Sequence, residues 1–510
     1  MCARERGWST VDEPVKRPSV NPLDKLSRLT RRGAVLGLKG LNDRQFTAIS
    51  AGLGLVLAAG VVLAAGPWDS GQRKAERDWA AARNHTGGAH HGTGTPDGPA
   101  PAPSAPAVLA ALTPVDNAAP DARHTPDSAA PDLRAVLDPL LKAPALGTRR
   151  TAVVIDTADG TRLYGRGADL PMTPASTVKI ATASAALSAL GPDHRIATKV
   201  LVSPDHRRIT LVGGGDPTLD RAALRALATG TARALKEHGV ERARLSYDTS
   251  RYSGPARHPI GPNENIAPVS ALMIDEGRLD DTDSGPAPRS DDPAKDAADA
   301  FARLLDDAGI ATGTGAEHGR PAAGSRQVAQ HLSAPLSALV ERALTNSDND
   351  IAEALARQTA IKAGRPADFA GARRAVTEQL KKLRLPLTGA VLADGSGLDR
   401  KDKVTARLLA GLLARAADPA HPELRPVLTG LPVAGFTGTL SDRYTGKSAG
   451  TGLVRAKTGT LTGVNTLAGT VVDGQGRLLA FAFLASGTTS PSEAQSSLDA
   501  LATGLAARTR

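Results

Sequence analysis

The first residues in this chain able to do chemistry together are Ser176 and Lys179, in Ser176-Thr-Val-Lys179. An Ala-rich stretch suited to a helix runs from them to Leu190. On a helix, positions i and i+3 share a face with Cβ atoms about 5–6 Å apart. A lysine amine in a dry site can have a depressed pKa and take the serine proton, which activates the hydroxyl without a histidine. The positive end of the helix dipole favours the negative charge that then develops. Alone the pattern is weak: among 16 lysines, about one such spacing arises by chance, and its ordinary reading is a capping serine beside a surface lysine.

Two further motifs follow in order. Ser347-Asp-Asn349 precedes Ile351 and Leu355 and reads as a loop or helix start. There Ser347 can relay a proton to a leaving amine, and the Asn349 amide can align a substrate backbone. Lys457-Thr-Gly459-Thr460 reads as an edge strand, which can pair with an extended peptide through its backbone. Gly459 allows close approach of a ligand, while Lys457 and the hydroxyls of Thr458 and Thr460 can hold a carboxylate. The ordinary readings are a helix cap and a plain strand with a solvent lysine.

The elements that must position these groups are legible at the two ends of the folded region. Leu133, Val136, Leu137, Leu140 and Leu141 repeat at helical spacing, and Thr151 to Asp156 reads as a buried strand. Asp159-Gly160 then turns into a returning strand at 161–164. Thr466 to Val472 and Arg477 to Ala485 form two more β-type runs, followed by a helix with Leu498, Leu501 and Leu505 on one face. Strands at both ends, each beside a terminal helix, predict one sheet built from distant segments, with the middle of the chain as an insertion.

Composition narrows the chemistry. Cys2 is the single cysteine of 510 residues, which excludes an internal disulfide and points away from thiol catalysis and cysteine zinc sites. The net charge of +10 suggests a nucleic-acid partner until it is located: residues 1–45 carry ten basic and five acidic side chains, half of that excess. No aromatic-interleaved basic stripe follows, so no nucleic-acid partner is expected. Residues 46–67 are uncharged, with Thr47 and Ser50 as their only polar side chains. That is long enough to span a bilayer, and the basic tail before it predicts a cytoplasmic N-terminus with the remainder outside the cell membrane. The alternative is secretion after signal cleavage near Val62-Leu63-Ala64. Residues 68–131 form a Pro/Ala/Gly-rich linker, expected to remain a disordered tether with His85, His90 and His91 as spacer residues.

The ordered motif set resembles the penicilloyl-serine transferase superfamily, S-x-x-K, S-x-N and K-T-G included. Within it, the chain is similar to the class C low-molecular-mass, type-4 penicillin-binding proteins, the D-alanyl-D-alanine carboxypeptidase/endopeptidase family. Leu170-Pro-Met-Thr-Pro-Ala-Ser-Thr-Val-Lys179, Val212-Gly-Gly-Gly-Asp-Pro217, Pro268-Val-Ser-Ala-Leu272 and Ala393-Asp-Gly-Ser-Gly-Leu398 carry that likeness. It implies an α/β (α+β) transpeptidase/β-lactamase-like domain at 132–200 plus 335–510, mainly an antiparallel sheet flanked by helices, interrupted by one or more smaller inserted domains at 201–334. Ser176 would be the acylated nucleophile and Lys179 its general base, with Ser347 and Lys457 carrying the proton to the departing D-alanine. Asn349, Thr458, Gly459 and Thr460 would bind substrate, and the backbone N–H groups of Ser176 and Thr460 would form the oxyanion hole. The expected substrates are peptidoglycan stem peptides, with β-lactams as inhibitors and no metal or other cofactor.

The alternatives are a β-lactamase on the same fold or an inactive wall-binding scaffold. The first lacks support because His421-Pro-Glu-Leu-Arg425 is not the E-x-x-L-N deacylation signature. Two stretches depart from the family's wording, Ala256-Arg-His-Pro259 where a tryptophan is usual and Met273-Ile-Asp-Glu-Gly-Arg278. Both fall in the insert and are expected to affect substrate recognition there while leaving the acylation centre intact.

Overall fold

The computed structural model describes residues 133–313 and 315–507. The predicted tail, membrane anchor and linker (residues 1–131) lie outside the described residues. Among the described residues no helix is long and apolar enough to cross a membrane. The chain runs through α1 (Leu133–Leu141), β1 (Arg149–Asp156), β2 (Arg162–Arg166), α2 (Lys179–Leu190), β3 (Ala197–Val202), β4 (Arg208–Val212), α3 (Arg221–Lys236), β5 (Arg244–Asp248), α4 (Pro293–Asp307), β6 (Glu317–His318) and β7 (Arg326–Leu332). Helices α5 (Leu336–Thr345), α6 (Asn349–Lys362), α7 (Phe369–Lys382), α8 (Ala406–Ala417) and α9 (Arg425–Thr429) follow, then β8 (Val454–Leu461), β9 (Val464–Val472), β10 (Leu478–Ser486) and α10 (Pro491–Ala506).

The first sheet has the order β2-β1-β10-β9-β8 and is antiparallel throughout. β1 pairs with β10 from Arg149↔Ser486 to Asp156↔Leu479, which joins the two ends of the folded region as their strand patterns require. Alternation along β10 sorts the faces, since successive side chains point to opposite sides. Leu479, Phe481 and Phe483 pack with Leu133, Leu137, Leu498 and Leu501 of α1 and α10. Ala480, Ala482 and Leu484 face the helical layer that includes α2, α5 and α8. Both faces of the sheet are therefore covered. Helix α2 is buried from Lys179 to Leu187, and its run of alanines suits a helix enclosed by its neighbours.

The second sheet has the order β6-β5-β4-β3-β7 and mixes antiparallel pairs at β3/β4 and β3/β7 with parallel pairs at β4/β5 and β5/β6. Its strands start at Ala197, ahead of position 201 where the sequence reading opens the insert, because Thr198, Val200 and Val202 alternate inward on this sheet. A separate core of Leu224, Leu227, Phe301 and Leu305 from α3 and α4 packs against Ile209, Leu211 and Leu245.

Candidate active site

Ser176 sits in a 3-10 turn, Ala175–Val178, that feeds directly into α2, so Lys179 is the first α-helical residue. The turn is tied to the sheet: the Thr466 hydroxyl on β9 donates to the Pro174 carbonyl at 2.7 Å, as does the Thr177 hydroxyl. A Cβ at Gly459 would lie 2.6 Å from the Pro174 carbonyl oxygen and 2.2 Å from Thr466 Oγ1. The glycine of the third motif thus lets edge strand β8 close on the turn that carries Ser176.

Lys179 is fully buried and its Nζ meets three oxygens, Ser176 Oγ at 3.1 Å, Asn349 Oδ1 at 2.7 Å and the Ser396 carbonyl at 2.7 Å. Asn349 Nδ2 donates to the Asn265 carbonyl at 2.9 Å, which fixes the amide with its oxygen toward the lysine. Carbonyl oxygens only accept. A neutral amine has two hydrogens and one lone pair, so Asn349 and Ser396 engage the hydrogens and the lone pair is left for the Ser176 hydroxyl. Burial lowers the Lys179 pKa to about 8, against the opposing pull of Asp394, Asp348 and Glu353. The amine is therefore partly neutral near physiological pH.

Asp348 caps α6 by accepting from the Ile351 N–H at 2.9 Å, which places Asn349 at the first turn. Ser347 before it has φ +61°, a left-handed backbone that an L residue holds at a cost when its surroundings require it. Lys457 on β8 is fully buried and donates to the Thr458 carbonyl at 2.9 Å. Burial, and then the nearby Lys179, hold its pKa well below the usual lysine range. A cleft of about 380 Å³ brings Ser176, Ser347, Asn349, Thr458 and Thr460 together at its walls, with Lys179 and Lys457 buried. The Thr458 hydroxyl donates to Thr439 Oγ1 at 2.8 Å, and Gln495 Nε2 approaches Thr460 Oγ1 at 3.4 Å. The strand's threonines are thus held by neighbours that sequence reasoning did not single out.

Compared with known protein families, residues 133–287 and 282–508 match the D-Ala-D-Ala carboxypeptidase 3 (S13) family. The chain belongs to that family. It is 37% identical over 427 residues to a carboxypeptidase of Mycobacterium tuberculosis, covering 80% of this chain and 89% of the relative. Its identity to a D-alanyl-D-alanine carboxypeptidase of Actinomadura is 29% over 444 residues, with 71% and 82% covered. Penicillin binding protein 4 of Haemophilus influenzae shares the fold, with TM-score 0.60, 23% identity, and 70% of this chain and 95% of that one covered. The chain is a serine peptidase of the D-Ala-D-Ala carboxypeptidase class.

Around the motifs, this S13 chain builds two charged networks that the sequence motifs did not reveal. In the first, Glu276 pairs with Arg278 at 3.1 Å and with Arg342, and Arg289 pairs with Asp350 at 2.9 Å. Burial raises Glu276 to about 9, with Asp348 adding to it, and raises Asp350 to about 7 against the pull of Arg289. Arg278 and Arg289 belong to the insert and also line the cleft. Glu276, Asp348 and Asp350 converge closely, but three guanidinium groups meet them, so the cluster is a network of carboxyl–guanidinium contacts and not a cation cage.

The second network lies behind Lys179. Glu353 Oε1 accepts from the Gly395 and Ser396 N–H groups, both at 2.9 Å. Asp394 accepts from the N–H groups of Ser396, Gly397 and Asp399 at 3.1, 2.6 and 2.7 Å. These bonds aim the Ser396 carbonyl at Lys179. Gly397 has φ +87°, and a Cβ there would meet the Ala175 carbonyl at 2.1 Å, so this turn packs directly on the Ser176 turn. Burial raises the Asp402 pKa to about 10, and Asp394, to which it hydrogen-bonds, adds to the rise. Burial also penalises the Asp394 carboxylate, yet bonds from His258, Asp402 and the backbone outweigh it and lower its pKa. The pair therefore shares a proton that resides on Asp402. The only available signal for this network was the Ala393–Leu398 wording and the i,i+4 spacing of Asn349 and Glu353. Both departing segments, 256–259 and 273–278, take part in these networks, so the insert's unusual wording reaches the surroundings of Lys179 and Asn349.

Proposed function

We propose that this S13 enzyme removes terminal D-alanine from peptidoglycan stem peptides, and cuts D,D-crosslinks, through an acyl-enzyme on Ser176. Lys179 takes the Oγ proton as Oγ bonds to the penultimate D-alanine carbonyl carbon. The resulting oxyanion is met by the backbone N–H groups of Ser176 and Thr460, contacts of a type worth roughly 2.7–4 kcal/mol per donor. The C–N bond then breaks, and Ser347 and Lys457 carry a proton to the departing amine. Asn349 holds the peptide backbone, Thr458 and Thr460 the terminal carboxylate. Water hydrolyses the ester and restores Ser176. β-Lactams enter the same sequence and stop at the acyl-enzyme.

The observation that carries this reading is the Lys179 amine, whose two carbonyl partners leave its lone pair for Ser176 Oγ. Fluorescent penicillin tests it: a persistent adduct that disappears in Ser176→Ala supports the peptidase. Rapid turnover of the adduct indicates a β-lactamase, and labelling that survives Ser176→Ala overturns the nucleophile. The reading extends to location. Residues 46–67 hold the enzyme at the cell membrane, with the basic tail in the cytoplasm, 68–131 as tether and the catalytic domain outside. Membrane-fraction recovery of the full chain, lost on deleting 46–67, tests it.

A further inference from the structure

His258 belongs to the insert, in a segment whose wording departs from the family, yet its ring is buried among groups of the catalytic domain. Its Nε2 lies 3.1 Å from Asp394 Oδ2 and 3.9 Å from Glu353 Oε1. Its Nδ1 faces the Ile260 N–H at 3.3 Å. A backbone N–H can only donate, so Nδ1 accepts and Nε2 carries the hydrogen toward Asp394. The ring edge meets Phe369 with centroids 5.2 Å apart, and the Arg357 guanidinium covers that phenylalanine at 4.3 Å. The charged groups facing the imidazole are thus Asp394 and Asp399 from the turn, and Glu353 with Arg357 behind Phe369 from α6. On the insert side, Arg257, Glu264, Arg289 and Asp291 line the shallow pocket beside it. Arg257 is paired with Asp291 at 3.1 Å.

Asp394 and Glu353 are the two carboxylates whose hydrogen bonds orient the Ser396 peptide, and the Ser396 carbonyl fixes one hydrogen of the Lys179 amine. The same carboxylates pull the Lys179 proton affinity upward. We infer that His258 is a positioning residue for the acylation step: its Nε2–H holds Asp394 and offsets the negative potential of Asp394 and Glu353 at Lys179, so that the insert sets how readily Lys179 gives up its proton. With Nδ1 accepting from Ile260, the ring acts as a neutral donor whose Nε2–H directs positive charge at the carboxylates. This inference rests on the reading of Lys179 as the proton acceptor.

The test compares the full-length wild type with His258→Phe, which keeps a ring against Phe369 but no donor, and His258→Gln, which can place an amide N–H where Nε2 stands. The rate of fluorescent-penicillin acylation is followed as a function of pH, with a thermal melt of each protein. In His258→Phe, the carboxylates act on Lys179 without offset. The acid limb of the acylation profile moves upward by about half a pH unit or more, and the rate near neutral pH falls roughly tenfold, the kinetic equivalent of one lost buried hydrogen bond. His258→Gln restores both toward wild type. A His258→Phe profile with unchanged limb and rate overturns the inference, and so does a lowered melting temperature with an unmoved limb, which is what a purely structural histidine gives. Should the phenylalanine variant not fold, His258→Leu takes its place. Should neither fold, a His258→Gln limb displaced by half a unit or more overturns the inference, and one that coincides with wild type supports it. Ser176→Ala serves as the separate control: label retained there overturns the acylation reading itself, whereas label lost there with His258→Phe unchanged overturns the role of His258 alone.

Discussion

Asn349→Asp should displace the pH dependence of acylation further than any other single-atom change at this site. The amide oxygen sits 2.7 Å from Lys179 Nζ, and the substitution replaces a dipole by a full negative charge without changing shape. Two unit charges at that distance interact by about 6 kcal/mol at an effective dielectric of about 20. Halving this for the partly open cleft leaves about 3 kcal/mol, or roughly two pH units, since one unit is about 1.36 kcal/mol. The Lys179 pKa would rise from about 8 to about 10. Acylation needs the neutral amine, so the rate near pH 7.5 should fall close to a hundredfold and recover as the pH approaches about 10. The assay is the initial rate of fluorescent-penicillin labelling across pH, with folding checked by circular dichroism. A variant whose acid limb and rate both coincide with those of the wild type would refute the assignment of Lys179 as base. A pH-independent loss would mean that Asn349 acts only by geometry, through its bond to the Asn265 carbonyl.

Other substitutions test the surroundings. Asp402→Asn keeps the acceptor for the Ala393 N–H and a donor toward Asp394. Because the folded wild type holds this proton to about pH 10 while an unfolded aspartate releases it near pH 4, rising pH adds a drive to unfold through this group that the variant lacks. The melting-temperature advantage of the variant should therefore grow by a few degrees between about pH 5 and pH 8; a constant difference would place the proton elsewhere. Gly459→Ala drives a Cβ into the Pro174 carbonyl and Thr466 Oγ1, at a cost of about 1–3 kcal/mol for overpacking. It should also move the Ser176 turn, so that labelling slows at least about tenfold, whereas wild-type labelling would show that β8 yields without disturbing Ser176.

The parts of the site that were legible in the sequence are those whose chemistry is local. Ser176 and Lys179 are one turn apart, Ser347 and Asn349 flank a cap, and β8 is a single strand, so each motif is a short local pattern, weak alone and telling only as an ordered set. The terminal strands were legible for a related reason: alternation in β1 and β10 is local, and only their partnership is distant. The carboxylates behind Lys179 leave no such trace. Asp394 meets His258 across 136 residues of chain, and a buried acid reads in sequence like any exposed one. Glu276 was hidden twice over, because it takes φ +56° without being the glycine that usually marks that backbone.

Helix α6 explains why the insert and the acylation centre cannot be treated as independent. Successive residues on a helix are rotated by about 100°, so positions i and i+4 share a face while i+1 is turned away. Asn349 and Glu353 accordingly both point toward Lys179, the first bonding its amine and the second holding the 395–396 peptide that bonds it. Asp350 is rotated to the insert, where it accepts from the Ala267 N–H at 3.0 Å and pairs with Arg289. Just before the helix, Asp348 both caps it and lies 4.0 Å from Arg342, the partner of Glu276. A shift or rotation of the insert against α6 would strain the Asp350 and Glu276 pairs and the His258–Asp394 bond together, and both ends of that strain meet at Lys179. Leaving one partner of such a buried pair unmatched costs about 3–5 kcal/mol, enough to keep the insert seated. The insert therefore forms one wall of the cleft beside Ser176 and reaches Lys179 through α6 and Asp394.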